Sequence, residues 1–312
     1  MPERILKFYT KYFAVWVVVF GVIAYLRPRP FVALKEYNQA FFALTMFGIG
    51  AVLEVRDFKR IAERPVIVLI GVTAQFVIMP LGAFVVSRLM GLPPIIAAGL
   101  ILTGSAPGAM ASNVMCYISK ADTAYSVSLT TVSTLLCPIL TPGLTALLAT
   151  KVPVPFWAMF KDAMLMIIVP LIFGFAVRHF FNRWVKKIVV VFPAISATFI
   201  IFICSLVIAL NKDKLLEVSA VIALGVLVLN IFGMSAGYGV GALFRMEPAR
   251  KRTLSIEIGM QNAGLGSTLA LVHLGPEAAI PAALFVFTCI ITASVMAAVW
   301  QRQKVTVAFP AG

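Results

Sequence analysis

The chain is 312 residues long, 61% hydrophobic and only 12% charged, against roughly 25% charged in an ordinary soluble domain. A soluble fold of this length has nowhere to hide so much apolar surface, which excludes a soluble enzyme and makes lipid the expected solvent. A net charge of +14 would point to nucleic acid in a soluble protein, but the 26 Lys and Arg are spread thinly between apolar runs. They form no basic stripe for a phosphate backbone, and no nucleic-acid partner is expected. Cys116, Cys137, Cys204 and Cys289 all sit inside apolar stretches without metal-ligand spacing, so they read as packing residues.

A spanning helix needs about 20 mostly apolar residues, and ten runs of that kind follow one another along the chain. They cover 12–26, 38–55, 65–89, 93–118, 121–150, 157–178, 187–210, 217–244, 248–273 and 277–300. The first ends at Arg27-Pro28-Arg29 without a small-residue cleavage signal, so it reads as a retained span. With ten spans both termini share one side, which holds 18 Lys and Arg against 8 on the other. Cytoplasmic loops hold the excess, so both termini are expected in the cytoplasm; anchoring to anionic lipid is compatible with the same pattern.

Span starts in the second half follow those in the first at an offset of roughly 150 residues, as in secondary transporters built from two inverted halves. The division expected is 1–156 and 157–312, five spans each. An odd-numbered repeat must enter the membrane with opposite orientation. In the eighth span Gly233, Gly237 and Gly241 recur every four residues and make a bare strip for close helix packing.

The fourth and ninth spans carry the functional signal. The fourth is interrupted at Pro107-Gly108, which removes a backbone donor and frees the chain, just before Ser112-Asn113. The ninth runs Glu257-Ile258-Gly259-Met260-Gln261-Asn262-Ala263-Gly264, another glycine-rich polar break. Asn113 and Asn262 lie 149 residues apart, so the breaks correspond between the halves. Paired interruptions free carbonyls for cations and leave half-helix amino ends for anions, although either break alone is also compatible with a purely structural role.

Of the 12 acidic residues only Glu257 lies well inside a span. A charge there costs at least about 2.5–3.5 kcal/mol, so a cation or a proton should accompany it. The alternative is that Glu257 sits near the cytoplasmic surface and pairs with Arg250 or Lys251. If a cation is the partner, Gln75, Ser112, Asn113, Ser126, Thr130 and Gln261 offer hard oxygens. One carboxylate among neutral oxygens suits an alkali ion better than a divalent one. Ser126 and Thr130 are four apart and share a helix face, though each hydroxyl can also bond its own helix carbonyl.

The stretches Pro107-Gly108 with Ala111-Ser112-Asn113-Val114-Met115, Ser126 to Ser133, and Glu257-Ile258-Gly259-Met260-Gln261-Asn262 resemble the bile acid:sodium symporter family over essentially the whole chain. The resemblance implies an all-α membrane protein of ten helices in two inverted five-helix repeats. It implies a panel of spans one, two, six and seven, and a core of the other six where the broken fourth and ninth helices cross. It places a first sodium site on Ser112, Asn113, Ser126, Thr130 and Glu257. A second falls on Gln75, Glu257, Gln261 and the carbonyls of Ile258 and Met260. Substrate would lie between panel and core, with Asn262 the best contact. In the last span this chain has Thr288-Cys289-Ile290 where bile-acid-binding bacterial relatives carry a polar His-Asn pair, which puts bile acid as the cargo in doubt and leaves Thr288 and Cys289 as candidate substrate contacts.

The expected function is therefore sodium-coupled import of an organic anion, bile-acid-like or a small organic acid, by alternating access in a bacterial-type inner, plasma membrane. The expected state is a monomer surrounded by lipid. The alternatives are proton coupling through Glu257 on the same fold, a receptor or channel, and an integral-membrane enzyme. The last is weak because His179 and His273 stand isolated near span ends and no nucleophile constellation is visible.

Overall fold

A computed structural model describes Leu6, Tyr9, residues 12–188 and residues 191–302. Arg4, Lys7, Lys11 and Lys304, counted above among the positive charges, lie outside the described residues, as does Glu3. The described chain is helical: α1 (Phe13–Leu26), α2 (Asn38–Val52), α3 (Val55–Glu63), α4 (Pro65–Leu89), α5 (Pro94–Gly104), α6 (Ala111–Ile118) and α7 (Thr123–Leu148). There follow α8 (Phe156–Phe180), α9 (Phe192–Leu210), α10 (Lys212–Leu243), α11 (Pro248–Gly259), α12 (Ala263–His273) and α13 (Ile280–Arg302).

Among the described residues six helices are long and apolar enough to cross a membrane: α4, α7, α8, α9, the stretch Ala220–Leu243 of α10, and Glu277–Arg302, which contains α13. The other four apolar runs come out shorter or divided. α1 has 14 residues and α2 has 15, while the runs 93–118 and 248–273 are each cut into two helices. The run expected to continue to 55 stops at Val52, and the chain bends by 75° into α3. A reciprocal cap explains the bend: the Glu54 side chain accepts from the α3 backbone, and the Glu54 N–H donates to Asp57 Oδ2 at 2.9 Å.

Local chemistry accounts for most boundaries. Pro65, Pro94 and Pro248 open α4, α5 and α11, where a missing N–H costs nothing. Asp122 caps α7 by accepting the Tyr125 N–H at 3.0 Å. In α8 a π-helical turn, Met164–Ile168, precedes Pro170, the kind of widened turn that absorbs a lost backbone bond.

The polar and apolar groups are distributed inside out. Leu69, Leu89, Leu147 and Leu243 are at least 66% exposed, whereas Gln75, Ser112, Ser126, Thr130, Asn230, Glu257 and Gln261 are buried. In water this surface would aggregate; in lipid it is at no disadvantage. The helices pack in two groups. α2 lies against α8 and α9, and α9 against α1; α4, α5, α7, α10, α11 and α13 form the larger mass around the breaks, and the start of α8 also packs on α7. The strip Gly233, Gly237 and Gly241 is turned toward α11: a side chain at Gly237 would collide with the Leu254 carbonyl, and one at Gly241 would come to 3.0 Å from Lys251 Cα.

Polar links join the groups through α12. Thr268 Oγ1 donates to Asn38 Oδ1 of α2 at 3.4 Å. Asp162 on α8 stands 3.1 Å from His273 Nε2 and accepts from Gln39 Nε2 at 3.0 Å.

Candidate functional site

The two breaks meet. Between α5 and α6 the chain runs through Ala106-Pro107-Gly108, and between α11 and α12 through Met260-Gln261-Asn262. Ala109 N–H donates to the Met260 carbonyl and Asn262 N–H to the Pro107 carbonyl, both at 2.8 Å. Gly108 and Gln261 therefore form an antiparallel bridge. Backbone that leaves a helix at membrane depth must find partners inside the protein, and here each break supplies them to the other.

Glu257 occupies the last turn of α11, 2% exposed. Its carboxylate meets Gly108 across the crossing, where a Cβ would sit 2.7 Å from Oε2. Glycine is required there by proximity, not by backbone angle. Ser112 of α6 and Ser126 of α7 both donate to Oε1, and Thr130 of α7 donates to Oε2 at 3.0 Å. Among the described residues Arg250 pairs with Asp122 at 3.2 Å and no ion pair reaches Glu257. The alternative partner considered for Glu257 among the arginines is thus engaged elsewhere.

The protons available to this cluster are fewer than its contacts need. Ser112 Oγ also lies 2.6 Å from the Ala109 carbonyl, Ser126 Oγ 2.7 Å from Asn113 Oδ1, and Thr130 Oγ1 3.0 Å from the Ser126 carbonyl. Each hydroxyl carries a single proton and faces two acceptors. Asn113 is oriented with its nitrogen toward Met110 Sδ at 3.9 Å, which leaves its oxygen for Ser126. Ser112, Asn113, Ser126, Thr130 and Glu257 are thus brought together as an oxygen-rich, proton-poor cluster.

Beside it lies a chain of amides. Gln75 of α4 donates to Gln261 Oε1 at 2.7 Å and approaches the Ala106 carbonyl at 3.4 Å. Gln261 donates to the Ile258 carbonyl at 2.8 Å. Gln75, Ile258, Met260, Gln261 and Glu257 therefore share one neighbourhood. All these donor atoms are oxygens, and among the described residues no group of three or more His, Cys, Asp or Glu gathers to hold a metal. Such a donor set fits an alkali cation better than a transition metal.

The candidate substrate contacts are dispersed. Asn262 is partly exposed at the crossing, and its Oδ1 caps α12 by accepting the Leu265 N–H at 3.1 Å. Thr288 bonds its own helix at Leu284 and lines an apolar groove with Ala223, Leu224 and Leu227 of α10. Cys289 is buried, its thiol toward the Val286 carbonyl. The sequence reading passed over Asn230, a fully buried amide that donates to the Gly259 carbonyl at 2.7 Å. An isolated amide in the apolar run of α10 was the available signal.

The profile of the Sodium Bile acid symporter family matches residues 40–218. The chain belongs to that family. It is 38% identical to "Uncharacterized sodium-dependent transporter YocS" of Bacillus subtilis, over 96% of this chain and 94% of that protein. It is 34% identical to "Probable sodium/metabolite cotransporter BASS1, chloroplastic" of Arabidopsis thaliana, over 93% of this chain and 73% of the other. To the ileal sodium/bile acid cotransporter of Mus musculus it is 31% identical, over 75% and 69% of the two chains. These relatives bear the names of transporters, not enzymes. As a symporter-family member with several apolar spanning helices, the chain is a multi-pass membrane protein of a sodium-dependent transporter family.

Proposed function

We propose that this chain is a sodium-coupled importer of an organic anion, working by alternating access around the crossing. The observation that carries the reading is the proton shortage around Glu257: three hydroxyls, each between two oxygens, border one buried carboxylate. A bound cation can face all of these oxygens at once, whereas a proton on Glu257 relieves a single contact. That favours sodium over proton coupling. The first ion is held by Ser112, Asn113, Ser126, Thr130 and Glu257, and the second by Gln75, Gln261, Glu257 and the carbonyls of Ile258 and Met260. Two cations sharing one carboxylate leave net positive charge, to which the amino ends of α6 and α12 add. An anion is the complementary cargo, with Asn262 the first residue to test for contact and Thr288 and Cys289 after it. The names of the relatives cover metabolites and bile acids, and the absence of the polar pair in the last span favours a small organic acid.

The architecture proposed is ten spans in two inverted repeats, 1–156 and 157–312, counting each broken helix as one span. Local geometry supports the repeat. Pro94 and Pro248 open the first half of each broken helix, and a left-handed residue, Gly91 or Arg245, stands three positions ahead of each proline. Left-handed Lys120 and Gly275 follow the second halves. The packing groups of the fold support a panel of α1, α2, α8 and α9 that rocks against the core. The charge asymmetry supports cytoplasmic termini in a plasma membrane, and a monomer contains every group used. A charge crossing about 100 mV yields about 2.3 kcal/mol, and a tenfold sodium gradient about 1.4 kcal/mol per ion. Two sodium ions with one monoanion would therefore drive uptake with roughly 5 kcal/mol.

Purified protein should melt at a higher temperature in sodium than in potassium, and further when an accepted anion, drawn from bile acids and short keto or hydroxy acids, is added with sodium. Identical melting in both salts, or uptake into proteoliposomes that persists without sodium, would overturn the proposal.

A further inference from the structure

Three successive carbonyls leave α11 at the break, and each is held from a different wall. The Ile258 carbonyl accepts from Gln261 of its own turn at 2.8 Å, and the Met260 carbonyl from Ala109 of the opposite break at 2.8 Å. Between them, the Gly259 carbonyl accepts from Asn230 Nδ2 of α10 at 2.7 Å. Met260 is extended, with φ −113° and ψ 97°, and along extended backbone neighbouring carbonyls point to opposite sides. Tying Gly259 to α10 therefore turns Met260 away from α10 and toward the crossing.

Asn230 is poorly explained as packing. It is 0% exposed, and from Val226 to Met234 its neighbours along the helix are all apolar or glycine. Because a carbonyl only accepts, the amide nitrogen must face Gly259, which fixes the orientation of the group. Its Oδ1 is then buried, and no donor of the described residues reaches it. An unpaired amide oxygen costs folding free energy that a leucine would not. Gly233, nearly one turn on, lies beside both the Ile258 carbonyl, 3.2 Å from its would-be Cβ, and Met79 of α4. The orphan oxygen therefore belongs to the same wall as the Ile258 and Gly259 backbone, and Met79 follows Gln75 by one turn of α4.

We infer that Asn230 is a positioning residue for the second sodium ion: it holds the Gly259 carbonyl so that the Ile258 and Met260 carbonyls are presented to the ion. This rests on the sodium reading above. The amide acts through the backbone of the break, and its loss should weaken sodium binding without stopping turnover.

The test uses the full chain with Asn230→Leu, which keeps the branched shape and removes the amide, and Asn230→Ser as a second variant. Melting temperature is titrated with sodium at constant ionic strength, and uptake is measured in proteoliposomes against sodium. Both variants should need about five- to tenfold more sodium for half-maximal stabilisation, the worth of one buried hydrogen bond. The KM for sodium should rise in proportion while the maximal rate stays within about twofold. Unchanged sodium midpoints in both variants, whatever their melting temperatures, would overturn the inference and leave the sodium reading standing. A parent protein indifferent to sodium would overturn both.

Discussion

Gly108→Ala puts the cation site under the most direct test, because the backbone of Gly108 lies outside the left-handed region and tolerates alanine. The added Cβ would stand 2.7 Å from Glu257 Oε2, where ordinary contact begins at 3.4 Å. The backbone on both sides is tied into the bridge between the breaks, so the carboxylate must yield, by about 0.7 Å. Thr130 Oγ1 is 3.0 Å from the same oxygen, and a displacement of that size, away from the hydroxyl or against it, spoils that hydrogen bond. A hydrogen bond to a charged group is worth about 1.5–3 kcal/mol, which corresponds to about 10- to 150-fold in affinity. The sodium concentration for half-maximal uptake, and for half-maximal thermal stabilisation, should rise by that factor. A folded Gly108→Ala protein whose sodium midpoint stays within about twofold of the parent would refute the placing of the ion against this face of Glu257.

Glu257→Gln keeps the shape of the side chain but removes its charge. It should abolish sodium-dependent stabilisation and uptake, yet melt no lower than the parent in sodium-free buffer, because a buried uncompensated charge is itself a cost; a sodium-induced shift that persists would count against the site. Asn262→Ala should lower stability by about 1 kcal/mol through loss of the α12 cap and also raise the KM for substrate, whereas Asn262→Ser should restore the cap. Comparing substrate KM between the two variants separates cargo contact from capping, and parental KM in both would remove Asn262 from the substrate site. Asp162→Ala should cut the links to Gln39 and His273 and raise the rate at which a cysteine at Ala43, one turn along α2 from Gln39, reacts with a membrane-impermeant thiol reagent added from outside. An unchanged rate would mean that these bonds do not hold α2 and α12 together.

Helical content, membrane solvent and both breaks were legible in the sequence, because proline and glycine interrupt a helix for local reasons and a lone acid stands out in an apolar chain. The convergence on Glu257 was only partly legible. Spacing puts Ser126 and Thr130 on one face and the residue types offer the oxygens, but only folding brings α6, α7 and α11 to a point, and it was the family resemblance that divided the oxygens into two sites. The turn at Glu54 went unread because its cap depends on one acid just ahead of α3 and a second in its first turn, a pattern that hydropathy does not register. Asn230 was missed because its significance lies in which carbonyl it reaches. Thr288 and Cys289 were selected by alignment, and alignment does not fix helix rotation: the structure turns Thr288 to a groove beside α10 and buries Cys289.

The reciprocal backbone bonds between the breaks, Ala109 to Met260 and Asn262 to Pro107, involve no side chain at all. That part of the crossing stays intact while the residues lining it are exchanged, since only a proline at Ala109 or Asn262 would remove a donor. Selection could then remodel the cargo face of such a carrier step by step, with the ion machinery inherited unbroken. Two peptide hydrogen bonds would in this way leave cargo free to diverge around a fixed crossing.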